Sequence, residues 1–289
     1  MTPGARLRTL FSNEKLPMIP GCHDALGARL TEEAGCAAAY ISGFCVATSY
    51  GKADVGILTM SEVVAECARI AASVSIPVIA DADTGYGGAI NIRETVREME
   101  RAGIAGIHLE DQKMPKRCGA LAGKELVSDE EMTFRLRVAR ESRISSDFVI
   151  IGRTDAMTLF GIEESVRRCK VMEKAGADAV MVPSLSTPAE LAAIAKSVSI
   201  PTIYVAAETI RPMYTQKQLK EFGFSLALYP LSLIMASAGI QQRLLRALLD
   251  TGTTEAMIPE MMPFTDVGAL VGTKEAATFE EKLLKGLSA

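Results

Sequence analysis

Two acidic residues stand two positions apart at the end of a short apolar run, and a glycine-rich turn follows them, between Pro77 and Gly88. Side chains at positions i and i+2 of a strand point to the same face, so we expect Asp81 and Asp83 to lie side by side. Two carboxylates held that close repel each other unless they share a proton or a cation. The glycines allow a sharp turn and leave room for a ligand. The segment therefore predicts a binding site, with an ordinary polar turn as the alternative.

Eight short apolar segments, each followed by a helix or a helical loop, are the elements that would position these acids. The predicted strands cover residues 18–22, 37–43, 77–80, 104–110, 147–153, 178–184, 201–206 and 225–230. Uninterrupted apolar character is typical of strands buried on both faces, and alternation with helices predicts a parallel sheet. Eight such units predict an α/β fold of the closed (β/α)₈ type, a TIM barrel. An open doubly wound sheet is the alternative, but its dinucleotide fingerprint is missing from the sequence.

The chain of 289 residues fits one such barrel with an added segment. We expect a catalytic domain over residues 1–250 and a helical C-terminal extension over residues 251–289. The extension carries an apolar stripe at Phe279, Leu283 and Leu284 and has no further strand to follow. We therefore expect it to pack on the outside of the barrel or on another subunit.

Composition narrows the classes of partner. A net charge of −4 without a basic stripe argues against nucleic acid. No apolar run reaches about 18 residues, and the N-terminus lacks the apolar core of a signal peptide, which argues against a membrane span or export. Six scattered cysteines without CxxC spacing indicate reduced thiols and a cytoplasmic location. Apart from Cys118, we expect the cysteines to lie in helices or strands as small core residues.

The carboxyl ends of the predicted strands would form the active site of a barrel. The polar and small residues at or just beyond these ends are Ser42, Gly43, Asp54, Asp81, Asp83, Glu110, Asp111, Arg153, Asp155, Ser184, Glu208 and Arg211. Acids on neighbouring strands without a histidine or cysteine cluster suit Mg²⁺ or Mn²⁺ better than Zn²⁺. Since Mg²⁺ keeps several waters, one or two of these acids would touch it directly. His108, inside a predicted strand, is interpreted as structural.

Two further groups could react. Arg153 could hold a substrate carboxylate or phosphonate through a bidentate contact, or it could simply balance the acids in a salt bridge. Cys118 stands in a long loop after Glu110, beside Lys116 and Arg117. Adjacent positive charge favours the thiolate, so Cys118 is a candidate acid, base or nucleophile.

Six phrases together resemble the isocitrate lyase/phosphoenolpyruvate mutase superfamily, and the likeness covers nearly the whole chain. They are YISG at 40–43, DADTGYG at 81–87, HLEDQ at 108–112, KRCG at 116–119, GRTD at 152–155 and LYPLS at 228–232. The chain is most similar to the short branch that holds 2-methylisocitrate lyase, dimethylmalate lyase, oxaloacetate hydrolase and carboxyphosphonoenolpyruvate mutase.

The resemblance implies a Mg²⁺-dependent barrel enzyme that acts on a small carboxylic acid. It implies that the metal and its waters are held by Asp54, Asp81, Asp83 and Glu110. The residues that would bind the substrate are Ser42, Gly43, Phe44, Gly119, Arg153 and Ser184. The residues that would take part in catalysis are Lys116, Cys118, Arg153 and Glu110. Cys118 would protonate the departing carbanion from a mobile loop. The resemblance also implies a homotetramer in which the last helix is exchanged between subunits.

The implied reaction is cleavage of the C2–C3 bond of a substituted malate-like 2-hydroxy acid through an enolate. Three positions depart from the lyase pattern: Ala120 replaces a histidine, Ser184 a glutamate, and Val205 or Ala206 an asparagine. The altered wall disfavours substrates with two carboxylates and favours a smaller or more apolar acid. A phosphonomutase, or a hydrolase or decarboxylase of a 2-oxo acid, is the alternative. A non-catalytic relative is disfavoured because the acids, Arg153 and Cys118 are all present.

Overall fold

A computed structural model describes residues 1–119 and 121–287. Ala120, one of the three departures from the lyase pattern, lies outside the described residues. The chain divides into two compact units, Met1–Ile234 and Met235–Ala289. The division falls inside a helix, and a domain boundary near residue 250 stays a prediction.

Eight parallel strands form a closed barrel in the first unit, which confirms the predicted fold. The strands are β1 Met18–Cys22, β2 Ala39–Ile41, β3 Val78–Asp81, β4 Gly106–Glu110, β5 Val149–Arg153, β6 Ala179–Met181, β7 Thr202–Val205 and β8 Leu226–Tyr229. Each strand pairs with the next, and β8 returns to β1. The described part contains no helix long and apolar enough to cross a bilayer.

Helices alternate with these strands. They are α1 Pro3–Leu10, α2 Ala25–Glu33, α3 Gly43–Ser49, α4 Met60–Ala72, α5 Ala89–Arg101, α6 Asp129–Ser142, α7 Met157–Ala175, α8 Pro188–Ala195, α9 Gln216–Phe222 and α10 Ser232–Thr251. The side chain of Ser128 accepts from the backbone N–H of Glu131, as its position before an acidic first turn predicts. Helix α7 begins five residues before the expected start, and its kink at Gly161 has a φ of 80°.

The barrel interior is filled by side chains from alternating strand positions. Ile19, Ile79, Ile151 and Ile203 belong to this buried cluster, and Leu7 of α1 joins it. The guanidinium of Arg8 donates to the carbonyl oxygen of Asp147, just before β5 begins, at 2.9 Å. Helix α1 therefore covers the amino end of the barrel and leaves the carboxyl end for the site.

The expectation for the cysteines is wrong at one position. Cys22, Cys45, Cys67 and Cys169 are buried in strands or helices. Cys36 lies between α2 and β2 and is half-buried, because Gly35 adopts a φ of 81° and directs the chain out of α2. None of the six cysteines forms a disulfide in the described part.

The second unit is helical. After the end of α10 it contains a short 3₁₀ helix, Glu255–Glu260, then α11 Phe264–Leu270 and α12 Thr273–Leu287. Phe279, Leu283 and Leu284 on α12 are exposed, so its apolar stripe faces solvent in this structure.

Candidate active site

Three consecutive strands end in the charged residues of the site. Asp81, Glu110 and Arg153 are the last residues of β3, β4 and β5, and all three side chains are buried. Nη1 of Arg153 lies 3.1 Å from Oε2 of Glu110 and 3.9 Å from Oδ2 of Asp81. Nη2 lies 3.0 Å from Oδ1 of Asp155. Arg153 thus forms salt bridges with the acids in this structure. Its side chain also lines the cavity, where it could contact a substrate.

Lys116 occupies the centre of the remaining acids. Its Nζ lies 2.5 Å from Oδ1 of Asp54 and 2.7 Å from Oδ1 of Asp83, and its side chain is buried. The sequence places Lys116 near Cys118 as a positive charge, and the resemblance implies a catalytic role for it. In the structure its ammonium instead neutralises two carboxylates, and the described contacts of Lys116 do not include the thiol.

The turn after β3 is strained at Asp83. Strand β3 ends at Asp81, and Asp83 has a φ of 48°, in the left-handed region that non-glycine residues seldom adopt. Both acids leave the end of the strand, as predicted, but the strand stops at Asp81, so the alternation of side chains along a strand does not fix the position of Asp83. The backbone N–H of Asp83 donates to Oδ1 of Asp81 at 2.9 Å, so the turn itself holds the two acids together. Strain of this kind is found where surrounding contacts fix a functional geometry.

The buried acids outnumber the cations they contact. Five carboxylates face two cations; the acids are Asp54, Asp81, Asp83, Glu110 and Asp155, and the cations are Lys116 and Arg153. Burial raises the pKa of Asp83 to about 7 and raises the pKa of Glu110 well above its ordinary value. Burial also acts to raise the pKa of Asp81, but Lys116 and Arg153 help to outweigh it, and that pKa is lowered. The excess negative charge is offset by protons or by an added cation.

The donor set fits a hydrated magnesium ion. Oε1 of Glu110 is buried without a hydrogen-bond partner, and an unpaired buried acceptor calls for a ligand. In the described part of the chain, no three His, Cys, Asp or Glu side chains converge closely enough to enclose a metal by themselves. Carboxylate oxygens completed by water molecules are what Mg²⁺ accepts in proteins.

The start of α3 lies against the acids. The backbone N–H of Gly43 donates to Oδ2 of Asp81 at 3.1 Å, and a Cβ at Gly43 would lie 2.9 Å from that oxygen. Ser42 precedes the helix, and both Ser42 and Phe44 line the cavity. The sequence predicts a loop after the second strand, whereas the structure begins a helix at Gly43 and directs its first amide to the site.

The loop with Cys118 is fastened at both ends. Its stem pairs in antiparallel fashion: the N–H of Lys113 donates to the carbonyl oxygen of Glu125 at 2.8 Å. The N–H of Cys118 donates to the carbonyl oxygen of Asp54 at 3.0 Å, which draws the loop over the acids. Cys118 and Gly119 line the cavity, and Gly119 approaches so closely that a Cβ there would lie 3.0 Å from Nη2 of Arg153.

Gln112 is a site-adjacent residue to which the sequence assigned no role. Its carboxamide exchanges two hydrogen bonds with the backbone of Arg117, both 2.9 Å, and Nε2 also donates to Oδ2 of Asp155 at 3.1 Å. Gln112 thus connects the residue before Cys118 to the carboxylate that holds Arg153. The sequence marks Gln112 through its place in the HLEDQ phrase. Its contacts with Arg117 and Asp155, however, depend on the path of the loop.

Three charged residues predicted for the strand ends, two acids and one arginine, have supporting or remote positions. Asp111 is turned away, with Oδ2 3.1 Å from Nη1 of Arg168, and Oδ1 accepts the N–H of Asp155. Glu208 bonds to the hydroxyl of Ser232. Arg211 is exposed and donates to backbone carbonyls of its own turn, which removes it from the site.

His108 is buried beneath the acids. A 2.8 Å hydrogen bond joins its Nε2 to Oη of Tyr40, and Nδ1 lies 3.5 Å from Oδ1 of Asp81. Burial lowers the pKa of His108 to about 4, so the ring is neutral at neutral pH. His108 thus packs beneath Asp81 while its hydrogen bond goes to Tyr40, which agrees with a structural role.

A cavity of about 590 Å³ opens over these residues. The predicted site residues that line it are Ser42, Phe44, Asp54, Asp81, Cys118, Gly119, Arg153 and Ser184. Asp83, Glu110 and Lys116 are not in its lining. The rest of the lining is largely apolar and includes Leu159, Met181, Pro183, Val205 and Ile210. Lys124, which the sequence did not single out, is also part of the lining.

Comparison with known proteins agrees with the resemblance seen in the sequence. The family model for phosphoenolpyruvate phosphomutase matches residues 7–249. The 2,3-dimethylmalate lyase of Eubacterium barkeri is 37% identical over 288 residues, covering 99% of this chain and 100% of the relative.

Two solved structures extend the comparison. The phosphoenolpyruvate phosphomutase of Streptomyces platensis subsp. rosaceus has a TM-score of 0.93 at 32% identity, covering 97% of this chain and 99% of that one. A phosphonopyruvate hydrolase solved with oxalate and Mg²⁺ has a TM-score of 0.90 at 31% identity, covering 98% and 100%. The predicted resemblance is confirmed, and the chain belongs to the phosphoenolpyruvate phosphomutase family, within the isocitrate lyase/phosphoenolpyruvate mutase superfamily of enzymes.

Proposed function

We propose that this chain is a Mg²⁺-dependent carbon–carbon lyase that cleaves the C2–C3 bond of a substituted malate-like 2-hydroxy acid. The observation that carries the proposal is the position of Cys118, which lines the same cavity as Arg153 and Asp81. A thiol on a loop above buried acids and a fixed guanidinium can donate a proton to a carbon, as a lyase requires. The 37% identity to a 2,3-dimethylmalate lyase supports this choice.

The residues would share the reaction as follows. Asp81, Asp83 and Glu110 would hold Mg²⁺ through carboxylate oxygens and water, with Asp54 at the edge of the set. When bound, the ion supplies Lewis-acid stabilisation of negative charge. Ser42 and the amide of Gly43 would orient the substrate carboxylate.

The charge and protons would then move between this chain's own side chains. A carboxylate of the cluster takes the hydroxyl proton as the C2–C3 bond breaks. Arg153, fixed by Glu110 and Asp155, stabilises the negative charge on the oxygen. Cys118 donates its proton to the carbon that departs. Lys116 keeps Asp54 and Asp83 in place.

A substrate panel tests the proposal. The protein with Mg²⁺ is given 2,3-dimethylmalate, citramalate, 2-methylisocitrate, oxaloacetate and phosphonopyruvate, and NMR identifies the products. Formation of a 2-oxo acid and a carboxylic acid from a 2-hydroxy acid supports the lyase. Turnover confined to oxaloacetate or phosphonopyruvate would reject it.

A second candidate is a mutase or a 2-oxo acid hydrolase on the same scaffold. Ser184 and Val205 line the cavity where the lyases of this branch carry a glutamate and an asparagine, and they leave that wall without a carboxylate. The likeness to a phosphomutase and to a phosphonopyruvate hydrolase supports this alternative. The same panel separates the two candidates.

We also infer a cytoplasmic homotetramer in which α12 is exchanged between subunits. The exposed apolar side chains of α12 support the exchange. Light scattering of the full chain, compared with a variant that ends before Thr273, measures the assembly; an unchanged tetramer in the shortened chain would contradict the exchange.

A further inference from the structure

Lys124 is a buried cation on the side of the cavity that is formed by the loop with Cys118. Its side chain is 7% exposed and lines the cavity together with Cys118 and Gly119. Among the described residues, its ammonium group donates to the carbonyl oxygen of Gly119, and no carboxylate lies within 4.0 Å of its Nζ. An ammonium group has three N–H donors, so this one bond leaves capacity for a further acceptor.

The other two buried cations of the site are fully paired. Lys116 contacts Asp54 and Asp83, and Arg153 contacts Glu110 and Asp155. Burying a charge without an opposite charge is unfavourable, so a buried ammonium without a carboxylate needs a reason. Burial, the largest cause, lowers the pKa of Lys124, although the negative charges of Asp155 and Glu110 act to raise it. An anion bound in the cavity would supply the direct contact that these more distant acids do not.

The apolar part of the cavity lining suits small alkyl groups. Leu159, Met181 and Val205 line the same cavity and offer no polar group to a substituent. Apolar contact of this kind discriminates weakly between neighbouring alkyl sizes, whereas a buried charge discriminates strongly between ionised and neutral groups. The position of Lys124 therefore bears on the choice between one and two carboxylates.

We propose that Lys124 forms a second anion-binding subsite, which takes the carboxylate on the fragment that leaves with C3. The proposal rests on the lyase function above and names the residue that binds the second carboxylate of a malate with small alkyl substituents. It revises the expectation from the sequence that the changed residues at Ser184 and Val205 disfavour a second carboxylate, because a loop lysine supplies the missing charge.

The ammonium group of Lys124 also lies beside the negative charge that develops during the reaction. As the C2–C3 bond breaks, its electron pair stays on C3 and spreads into the adjacent carboxylate, beside the ammonium of Lys124. The thiol proton of Cys118 then forms the new C3–H bond, and the hydroxyl proton of the substrate has moved to an acid of the cluster. The products are a 2-oxo acid and a carboxylic acid. The thiolate and the protonated acid return to their starting states by proton exchange with water.

Binding without turnover tests the subsite. Calorimetry in Mg²⁺ compares 2,3-dimethylsuccinate, which lacks the hydroxyl group, with 2,3-dimethylbutyrate, which lacks one carboxylate as well, and with oxalate. We expect the wild-type protein to bind the dicarboxylate about tenfold tighter than the monocarboxylate, the size of one charge-assisted contact. Lys124→Gln should remove that advantage, Lys124→Arg should keep part of it, and oxalate should bind all three proteins within about twofold.

Lys124→Gln is the informative variant, because an amide can still donate to Gly119 while the charge is lost. An unchanged tenfold advantage in Lys124→Gln would overturn the proposal, as would equal binding of the two dimethyl acids by the wild-type protein. Thermal melting confirms that each variant is folded. If Lys124→Gln is not folded, the comparison of Lys124→Arg with the wild-type protein tests the subsite.

The two proposals fail in different ways. If the dicarboxylate advantage depends on Lys124 but no 2-hydroxy acid is cleaved, the lyase assignment fails and the subsite stands. If a 2-hydroxy acid is cleaved while Lys124→Gln keeps the advantage, the subsite fails and the lyase stands.

Discussion

Gln112 and Arg153 hold opposite oxygens of one carboxylate. Nε2 of Gln112 donates to Oδ2 of Asp155 at 3.1 Å, and Nη2 of Arg153 lies 3.0 Å from Oδ1 of the same residue. Because Gln112 also bonds twice to the backbone of Arg117, this carboxylate links the strand that carries the guanidinium to the loop that carries Cys118.

Replacing Gln112 should therefore misplace the thiol without removing it. Gln112→Leu breaks three hydrogen bonds and leaves Asp155 with one partner fewer, so we expect kcat to fall about 10²-fold, with a smaller change in KM. Steady-state kinetics measures both. Lys113→Met is the matched control, since Lys113 is exposed and its side chain contacts only Glu125 among the described residues. Equal kcat values in the two variants would contradict the positioning role.

The thiol of Cys118 should be required for turnover and dispensable for binding. Cys118→Ala removes the proton donor, and we expect a loss of 10²- to 10⁴-fold in kcat, the usual contribution of a general acid. Oxalate binding in Mg²⁺, measured by calorimetry, should change little. Cys36→Ala serves as the control because Cys36 lies between α2 and β2 and is not part of the cavity lining. Full retained turnover in Cys118→Ala would remove the acid role.

Metal binding should release protons. The pKa of Asp83 is about 7 and that of Glu110 is raised, so below neutral pH these acids carry protons that a bound cation must displace. Affinity for Mg²⁺ should therefore rise as the pH increases through 7. Calorimetric titration in two buffers of different ionisation enthalpy counts the protons released. An affinity that is independent of pH between 6 and 8 would show that these acids do not bind the ion.

Enzymatic activity should depend on a bound divalent metal ion. Dialysis against EDTA should abolish turnover, and Mg²⁺ or Mn²⁺ should restore it, because the donors are carboxylate oxygens. Retained turnover after complete removal of divalent ions would contradict the metal assignment.

A surface cluster on α7 should contribute stability that depends on pH. Hydrogen bonds from Arg167, the largest cause, and from Arg168 lower the pKa of Glu164 from 4.5 to about 2. A lowered pKa in the folded state means that the stabilisation is present above pH 4.5 and is lost as the pH falls towards 2. Glu164→Gln should reduce the free energy of unfolding by about 1 kcal/mol at pH 7, allowing for solvent screening of the partly exposed arginines.

Urea unfolding at pH 7 and pH 3 measures this difference, which should shrink at the lower pH. Glu163→Gln is the matched control, because Glu163 is the exposed neighbour on the same helix. A loss of equal size at both pH values would indicate packing as its origin.

The sequence predicts the fold and the charged end of the site because both depend on periodic patterns. Asp81, Glu110 and Arg153 end consecutive apolar runs, and a parallel barrel brings such ends together. The contacts of Lys116, Gln112 and Lys124 depend on the route of the loop from Asp111 to Val127. That route is set by backbone pairing to Glu125 and by the bond to Asp54, which leave no periodic signal in the chain.

The paired stem of the Cys118 loop separates two kinds of evolutionary change. Cys118, Gly119 and Lys124 all lie between the stem residues Lys113 and Glu125, whereas Asp81, Glu110 and Arg153 belong to the strands. Substitutions inside the loop that spare Lys116, which neutralises Asp54 and Asp83, can alter what the enzyme accepts and protonates while the barrel keeps its core and its charge balance. A lineage on this scaffold can thus diversify in substrate by changing the other residues of this one loop.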